Sequence, residues 1–220
     1  INEGDKVKIK PIENYSVEIL SIGFFTKPSQ AVIWRGPMAA KALSQMIFDS
    51  AWGKLDFLII DLPPGTGDIH LSIVQSLPLD GAVVISTPQN VALEAARKGI
   101  SMFTQENINV PVLGIIENMS YFSPKEFPDK KYFIFGKSGA KNLSVDLDVP
   151  FLGEIPIEET IREAGDFGRP VSLQKNTDIS ESISSITRNM ITQLLKRNKN
   201  LPPTEIVKIT NMSGCSAIKK

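Results

Sequence analysis

Thiols are almost missing from this chain: Cys215 is the one cysteine in 220 residues. An internal disulfide framework is therefore excluded, and the chain suits a reducing compartment such as the cytosol. Histidine is equally scarce. His70 stands without a second His or Cys nearby, so it reads as a helix-surface residue rather than a metal ligand. Net charge is missing as well, with 24 Lys+Arg against 24 Asp+Glu. A broad nucleic-acid footprint, which needs a basic excess, is not expected. No apolar run approaches the roughly 18–20 residues that span a bilayer, so no membrane partner is expected either. The longest run, Phe57 to Leu62, is interrupted by Asp61 and is strand-sized. Ile1–Lys10 is charged and lacks the apolar centre of a signal peptide. The chain does not start with methionine, and the simplest expectation is that its N-terminus continues a longer protein.

What is present is enough apolar material for a sizeable core, at 42% of residues. The length suits one domain, or one domain with an appendage. Short apolar runs alternate with helical patterns, which predicts an α/β fold around a mostly parallel sheet. Val17–Gly23 reads as a strand and 37–52 as a helix, with Met38, Ala42, Met46 and Ile47 at helical spacing. Phe57–Asp61 reads as a second strand, apolar throughout and so buried on both faces. Asp68 is placed as the N-cap of a helix through Ile69, Ile73 and Val74. Strands are then expected at Gly81–Ser86, Val112–Glu117 and Phe151–Ile155, and helices at Gln89–Glu106, Gly139–Asp146 and Asp178–Lys196. Ser120–Phe135 reads as an irregular stretch, and Asp166–Pro170 as a structural turn. From Asn198 the chain is polar and carries Pro202-Pro203. Residues 1–198 are thus expected to form the main domain and 199–220 a flexible tail.

The strongest local signal is the run Asp61-Leu62-Pro63-Pro64-Gly65-Thr66-Gly67-Asp68. A carboxylate at the C-terminal end of a buried parallel strand projects into the crevice where open α/β sheets bind ligands. There it can hold a hydrated Mg²⁺, an ion that takes few carboxylates and keeps its waters. Prolines stiffen the following loop, and glycines let backbone N–H groups approach a phosphate. Taken alone, a strand-ending Asp followed by an ordinary turn is the plainer reading; the full eight-residue run favours a nucleotide site. Arg35, in Trp34-Arg35-Gly36-Pro37-Met38, is either a phosphate or carboxylate clamp or a surface ion-pair partner. Asn118 follows the fourth strand and offers the donor and acceptor that read an adenine edge, or else caps a turn. Pro156, at the end of the fifth strand, is placed to wall a base.

These segments in this order resemble the Mrp/ApbC-type P-loop ATPases, a family of iron–sulfur cluster carriers. The resemblance rests on WRGPM, LDFLIIDLPPGTGD, STPQNVALEAARKGI, VPVLGIIENMSYF, IFG, FLGEIPI and DFGRP, and covers about Ser21 to Pro170. It implies ATP binding and hydrolysis that gate assembly and transfer of a [4Fe–4S] cluster to apo iron–sulfur proteins by a homodimer. By position it implies Asp61 as the Mg²⁺-side carboxylate, Pro64, Gly65 and Gly67 as the switch reporting the γ-phosphate, and Asn118 as the adenine reader. Two departures accompany it. The family's Walker A loop, with its lysine, occurs nowhere here and is expected, with a first strand, ahead of Ile1. This stretch alone is then expected to bind ATP feebly, to hydrolyse it negligibly and to be poorly soluble or stable. Many members also carry a CxxC pair after the ENMS segment, where this chain has Tyr121–Pro128 without a cysteine. Cys215 is then the one thiol left as a cluster ligand. The alternative is a dimerising ATPase that positions a partner protein without carrying a cluster, as septum-site and plasmid-partition relatives do.

Overall fold

The computed structural model describes residues 2–3, 6–27 and 36–207, so Trp34, Arg35 and Cys215 lie outside the described residues. The chain divides into two units, Ile1–Leu77 and Pro78–Lys220.

In the first unit, β1 (Asn2–Glu3) pairs antiparallel with β2 (Lys6–Val7), and β3 (Ile12–Asn14) with β4 (Val17–Ile19). The expected strand at Val17–Gly23 is therefore half right, and its partner is a hairpin neighbour rather than a parallel strand. Tyr15 and Ser16 join β3 to β4 with φ of 50° and 59°, the geometry of a two-residue turn whose twist matches its strands. No Asn-Gly pair announces this turn in the sequence. Ser21 then accepts from the Gly23 N–H and caps a 3₁₀ turn over Ile22–Phe25. Helix α1 (Gly36–Phe48) follows, ending four residues before the expected boundary, and α2 spans Asp68–Ser76.

Three expectations fail in this unit. Phe57–Asp61 forms no strand; Phe57, Leu58 and Ile59 are exposed, Ile59 by 82%, and Ile60 is half-buried. A strand buried on both faces needs a hydrogen-bonding neighbour and a covering layer, and no described strand pairs with this one. Asp68 is the first residue of α2 rather than its cap; Gly67 takes the cap position without a side-chain bond. In the first turn the Asp68 carboxylate still faces the positive end of the helix dipole. His70 also departs from expectation. It is buried rather than on the surface, with no partner for Nδ1 among the described residues.

The second unit follows the alternating pattern closely. Strand β5 (Ala82–Ser86), β6 (Val112–Phe122) and β7 (Phe151–Ile157) form a parallel sheet in the order β5-β6-β7. Helix α3 (Asn90–Thr104) crosses from β5 to β6, and α4 (Gly139–Asp146) from β6 to β7. Helices α5 (Glu159–Asp166) and α6 (Asp178–Asn200) follow, α6 running two residues past the expected boundary of the tail.

Neighbouring residues on the central strand decide the layering, because successive side chains of a strand face opposite ways. Ile115 packs with Ala96, Ile100, Ala140 and Leu143 of α3 and α4. Ile116 packs with Leu152 of β7 and Ile186 of α6. The sheet is thus covered by α3 and α4 on one side and by α6 on the other. That explains why β6 reads as a continuous apolar run rather than an alternation. Burial of a fully covered Ile such as Ile115 contributes about 1.5–3 kcal/mol. Asn189 of α6 fixes its helix by donating from Nδ2 to the Leu152 carbonyl at 2.8 Å. Thr177 caps α6 by accepting from the Ser180 N–H. Among the described residues no helix is long and apolar enough to cross a membrane.

Candidate functional site

A parallel sheet brings the ends of its strands to one edge, and crossovers leave that edge open for a ligand. Here Ser86, the last residue of β5, stands in register with Glu117 of β6 and Glu154 of β7, and both of those strands run on past it. Asn118 lies one step further on β6, paired in register with Ile155. Pro156 follows on β7 and is buried. The two sequence-predicted base-site residues of this unit therefore share one sheet edge.

The backbone beyond Asn118 is bent. Met119 takes φ 54°, and its N–H donates to Asn118 Oδ1 at 2.9 Å. That bond uses one acceptor position of the amide and orients it, so both readings of Asn118, turn cap and base reader, draw on the same geometry. Ser120, almost fully buried, donates from Oγ to the Ile155 carbonyl at 3.0 Å. This bond carries the β6–β7 pairing across the register shift between Asn118 and Phe122.

Glu117 is the residue that sequence reasoning passed over. Its side chain is 1% exposed, and its Oε2 accepts from the Ala140 N–H at 2.7 Å. The carboxylate sits at the N-terminus of α4, where unpaired amides and the helix dipole favour an anion. Burial nevertheless pushes its carboxyl above the ordinary 4.5; the Ala140 and Lys141 amides oppose this, the neighbouring Glu154 charge adds to it, and Lys141 opposes it. A signal existed in the sequence. Glu117 directly follows the run Leu113–Ile116, which is the hint, but only the covering helix α4 shows that its carboxylate points inward.

The other candidates lie in the first unit. Asp61 is exposed in a segment without regular structure, and the Pro63–Gly67 stretch after it is exposed as well. Its expected seat at the tip of a buried strand is not found, for the reason given above. Gly65 takes φ 107°, and a Cβ built at Gly65 or Gly67 would meet nothing within 4 Å. The loop backbone is therefore open to close approach by a ligand. No group of three or more His, Cys, Asp or Glu able to hold a metal occurs among the described residues.

A family model described as ParA: NUBPL iron-transfer P-loop NTPase matches residues 2–191. An iron–sulfur cluster carrier protein of Synechocystis sp. is 44% identical over 183 residues, covering 83% of this chain and 51% of that protein. The iron–sulfur cluster transfer protein NUBPL of Dictyostelium discoideum is 42% identical over 185 residues, covering 84% of this chain and 56% of its own length. The chain thus spans about half the length of the curated relatives it matches. Among solved structures, a nucleotide-binding protein from Archaeoglobus fulgidus, in complex with ADP and with cobalt, aligns with TM-score 0.61 and 33% identity. The alignment covers 74% of this chain and 62% of that one.

Proposed function

The chain belongs to the NUBPL iron-transfer P-loop NTPase family, and from that premise we propose that the whole protein is an ATP-hydrolysing carrier that assembles iron–sulfur clusters and transfers them to apo-proteins. The carrying observation is the continuous match over residues 2–191, shared with relatives whose names specify cluster carriage or transfer. Those names favour the carrier over a switch that merely positions a partner.

In this reading ATP is the substrate of the switch. Asn118 and Pro156 are the base-contacting candidates of the second unit, and Gly65 and Gly67 are the phosphate-contacting candidates of the first. Pro64 stiffens that loop so that loss of the γ-phosphate is felt as a change of state. The open backbone at Gly65 and Gly67 suits a phosphate, and the exposed Asp61 carboxylate suits a metal ion that keeps its waters. Mg²⁺, when bound, would neutralise charge on the β- and γ-phosphates. Residues 1–220 hold no Walker A loop with its lysine. Residues 1–220 alone are then weak in ATP binding and without appreciable hydrolysis. Asp61→Asn in the full-length protein is expected to leave ATP binding largely intact and to lower the hydrolysis rate by about 100-fold or more. A steady-state phosphate-release assay checks it, and an unchanged rate removes Asp61 from the site.

The cluster is cargo, and its ligands are not at Tyr121–Pro128, which holds no thiol. Cys215 is the thiol this chain offers, and a homodimer would present two of them. Such a carrier works in a reducing compartment, the cytosol being the simplest. The test is anaerobic incubation of the full-length protein with ferrous iron and sulfide, followed by desalting and iron analysis. Retained iron that falls at least twofold in Cys215→Ser is the expected result. Retention of no iron by the native protein would remove the carrier half of the reading.

A further inference from the structure

Ser120–Phe135 was expected to be irregular, and beyond Phe122 it holds no named strand or helix, yet contacts within residues 121–137 tie it into an aromatic ribbon. Phe122 and Tyr132 exchange both backbone hydrogen bonds, at 2.9 and 2.8 Å, as an antiparallel pair. Residues opposite each other in such a pair share a face, so Phe122 and Tyr132 lie on one side of the ribbon. Tyr121 and Phe133 form an edge-to-face contact with centroids 6.4 Å apart. Lysines are laid over these rings: Lys131 Nζ is 3.8 Å from the Tyr121 centroid and Lys137 Nζ 5.0 Å from that of Phe133. Lys130 repeats the arrangement over Phe127 at 4.6 Å.

The ribbon leaves much apolar surface uncovered. Phe122, Phe127, Tyr132, Phe133 and Ile134 are all exposed, Ile134 by 60%. Contiguous exposed apolar surface rimmed by charge marks an interaction site. The charge is also uneven: residues 121–137 carry four lysines against Glu126 and Asp129, in a chain with no net charge. Stacking holds each ammonium near a ring while leaving N–H donors for an incoming acceptor. Lys131 already shares Glu154 at 3.8 Å, half-exposed, so a carboxylate has a place on this surface.

We infer that this ribbon is a docking surface for an acidic, partly apolar segment of a partner protein. The inference deepens the carrier reading by giving the chemistry of the recipient. Charge decides among the occupants. A second copy laid on the same patch would set lysines against lysines, a repulsive arrangement. A nucleic acid calls for a larger basic excess than an excess of two in a neutral chain.

The experiment uses the full-length protein without nucleotide or iron, so that its outcome does not depend on cluster loading. A fluorescein-labelled peptide of alternating Glu and Phe/Leu residues, and its Lys-for-Glu counterpart, are titrated by fluorescence anisotropy at 50 and 300 mM NaCl. The acidic peptide is expected to bind at least tenfold tighter than the basic one and to weaken at the higher salt. The double variant Lys130→Glu/Lys137→Glu is expected to lose at least tenfold in affinity with its melting temperature unchanged. Lys130→Arg/Lys137→Arg, which keeps charge and ring contact, should bind within threefold of the native protein. Equal binding of the two peptides overturns the inference. So does affinity that survives the charge reversal, complete competition by a single-stranded oligonucleotide, or a charge reversal that changes only the monomer–dimer equilibrium in sedimentation.

Discussion

Gly114→Ala is expected to cost about 3–5 kcal/mol, a large share of the 5–15 kcal/mol that holds a typical domain together. Gly114 lies in the buried part of β6 with φ 152°, a conformation that L side chains rarely adopt. Its missing Cβ would sit 2.5 Å from the Pro150 carbonyl oxygen and 2.7 Å from Leu152 Cγ. Neither neighbour can retreat cheaply. The Pro150 carbonyl accepts from the Ile115 N–H at 2.8 Å, a bond that joins β6 to the start of β7. Leu152 is fully buried against Ile116 and Ile186. Strain in the backbone and overpacking each contribute about 1–3 kcal/mol. Urea denaturation of the two proteins checks this, through a lowered midpoint at an unchanged slope. Gly99→Ala is the control: in mid-α3 with nothing within 4 Å of the new methyl, it should stabilise by about 0.5–1 kcal/mol. Equal effects at the two glycines would discredit the packing account.

Glu117 gives the second large effect, and it has two parts. Glu117→Leu leaves the buried Ala140 amide without its acceptor, which should cost about 1–3 kcal/mol and loosen α4 from the sheet. Glu117→Gln keeps an oxygen for that amide and isolates the charge. The folded-state carboxyl is raised above its ordinary 4.5, chiefly by burial. The folded protein therefore binds the Glu117 proton more tightly than the unfolded chain does. Its contribution is fully present below pH 4.5 and is lost as pH rises through the raised folded value. Glu117→Gln lacks this titration, so its stability relative to the native protein should grow with pH and then level off. Urea unfolding of both proteins at pH 4.5, 5.5, 6.5 and 7.5 measures the difference. A native protein that gained on the variant over that range would mean that the Ala140 and Lys141 amides outweigh burial.

The same strand shows why some of the site was legible in the sequence and some was not. Gly81–Ser86, Val112–Glu117 and Phe151–Ile155 were readable because strands buried on both faces demand unbroken apolar runs. Asn118 and Pro156 could be placed at a strand edge because parallel strands end together. Glu117 was missed because a carboxylate beside a strand end reads as solvated unless the covering helix is known. The amide that binds it, Ala140, is 23 residues away. The ribbon at 121–137 was missed for a related reason: its order comes from one cross-strand pair and three ring–ammonium contacts, and none of these has a periodicity.

Phe57–Asp61 marks the opposite case, where composition asserted a strand and the fold supplied no neighbour for it. Apolar content sets how strongly a segment seeks burial, but hydrogen-bonding partners decide whether it becomes a strand. Periodicity and composition thus determined, unaided, the α/β class, the helices α3, α4 and α6 and the three strands of the parallel sheet, while the ordered motifs carried the resemblance to the family. Tertiary structure alone decided which faces of β6 meet which helices, that Glu117 is buried beneath α4, and that the lysines of the ribbon lie on aromatic rings. The division has one physical cause. Local sequence fixes which side of an element is apolar, whereas the energy of a buried charge or a close contact is set by atoms brought from elsewhere in the chain.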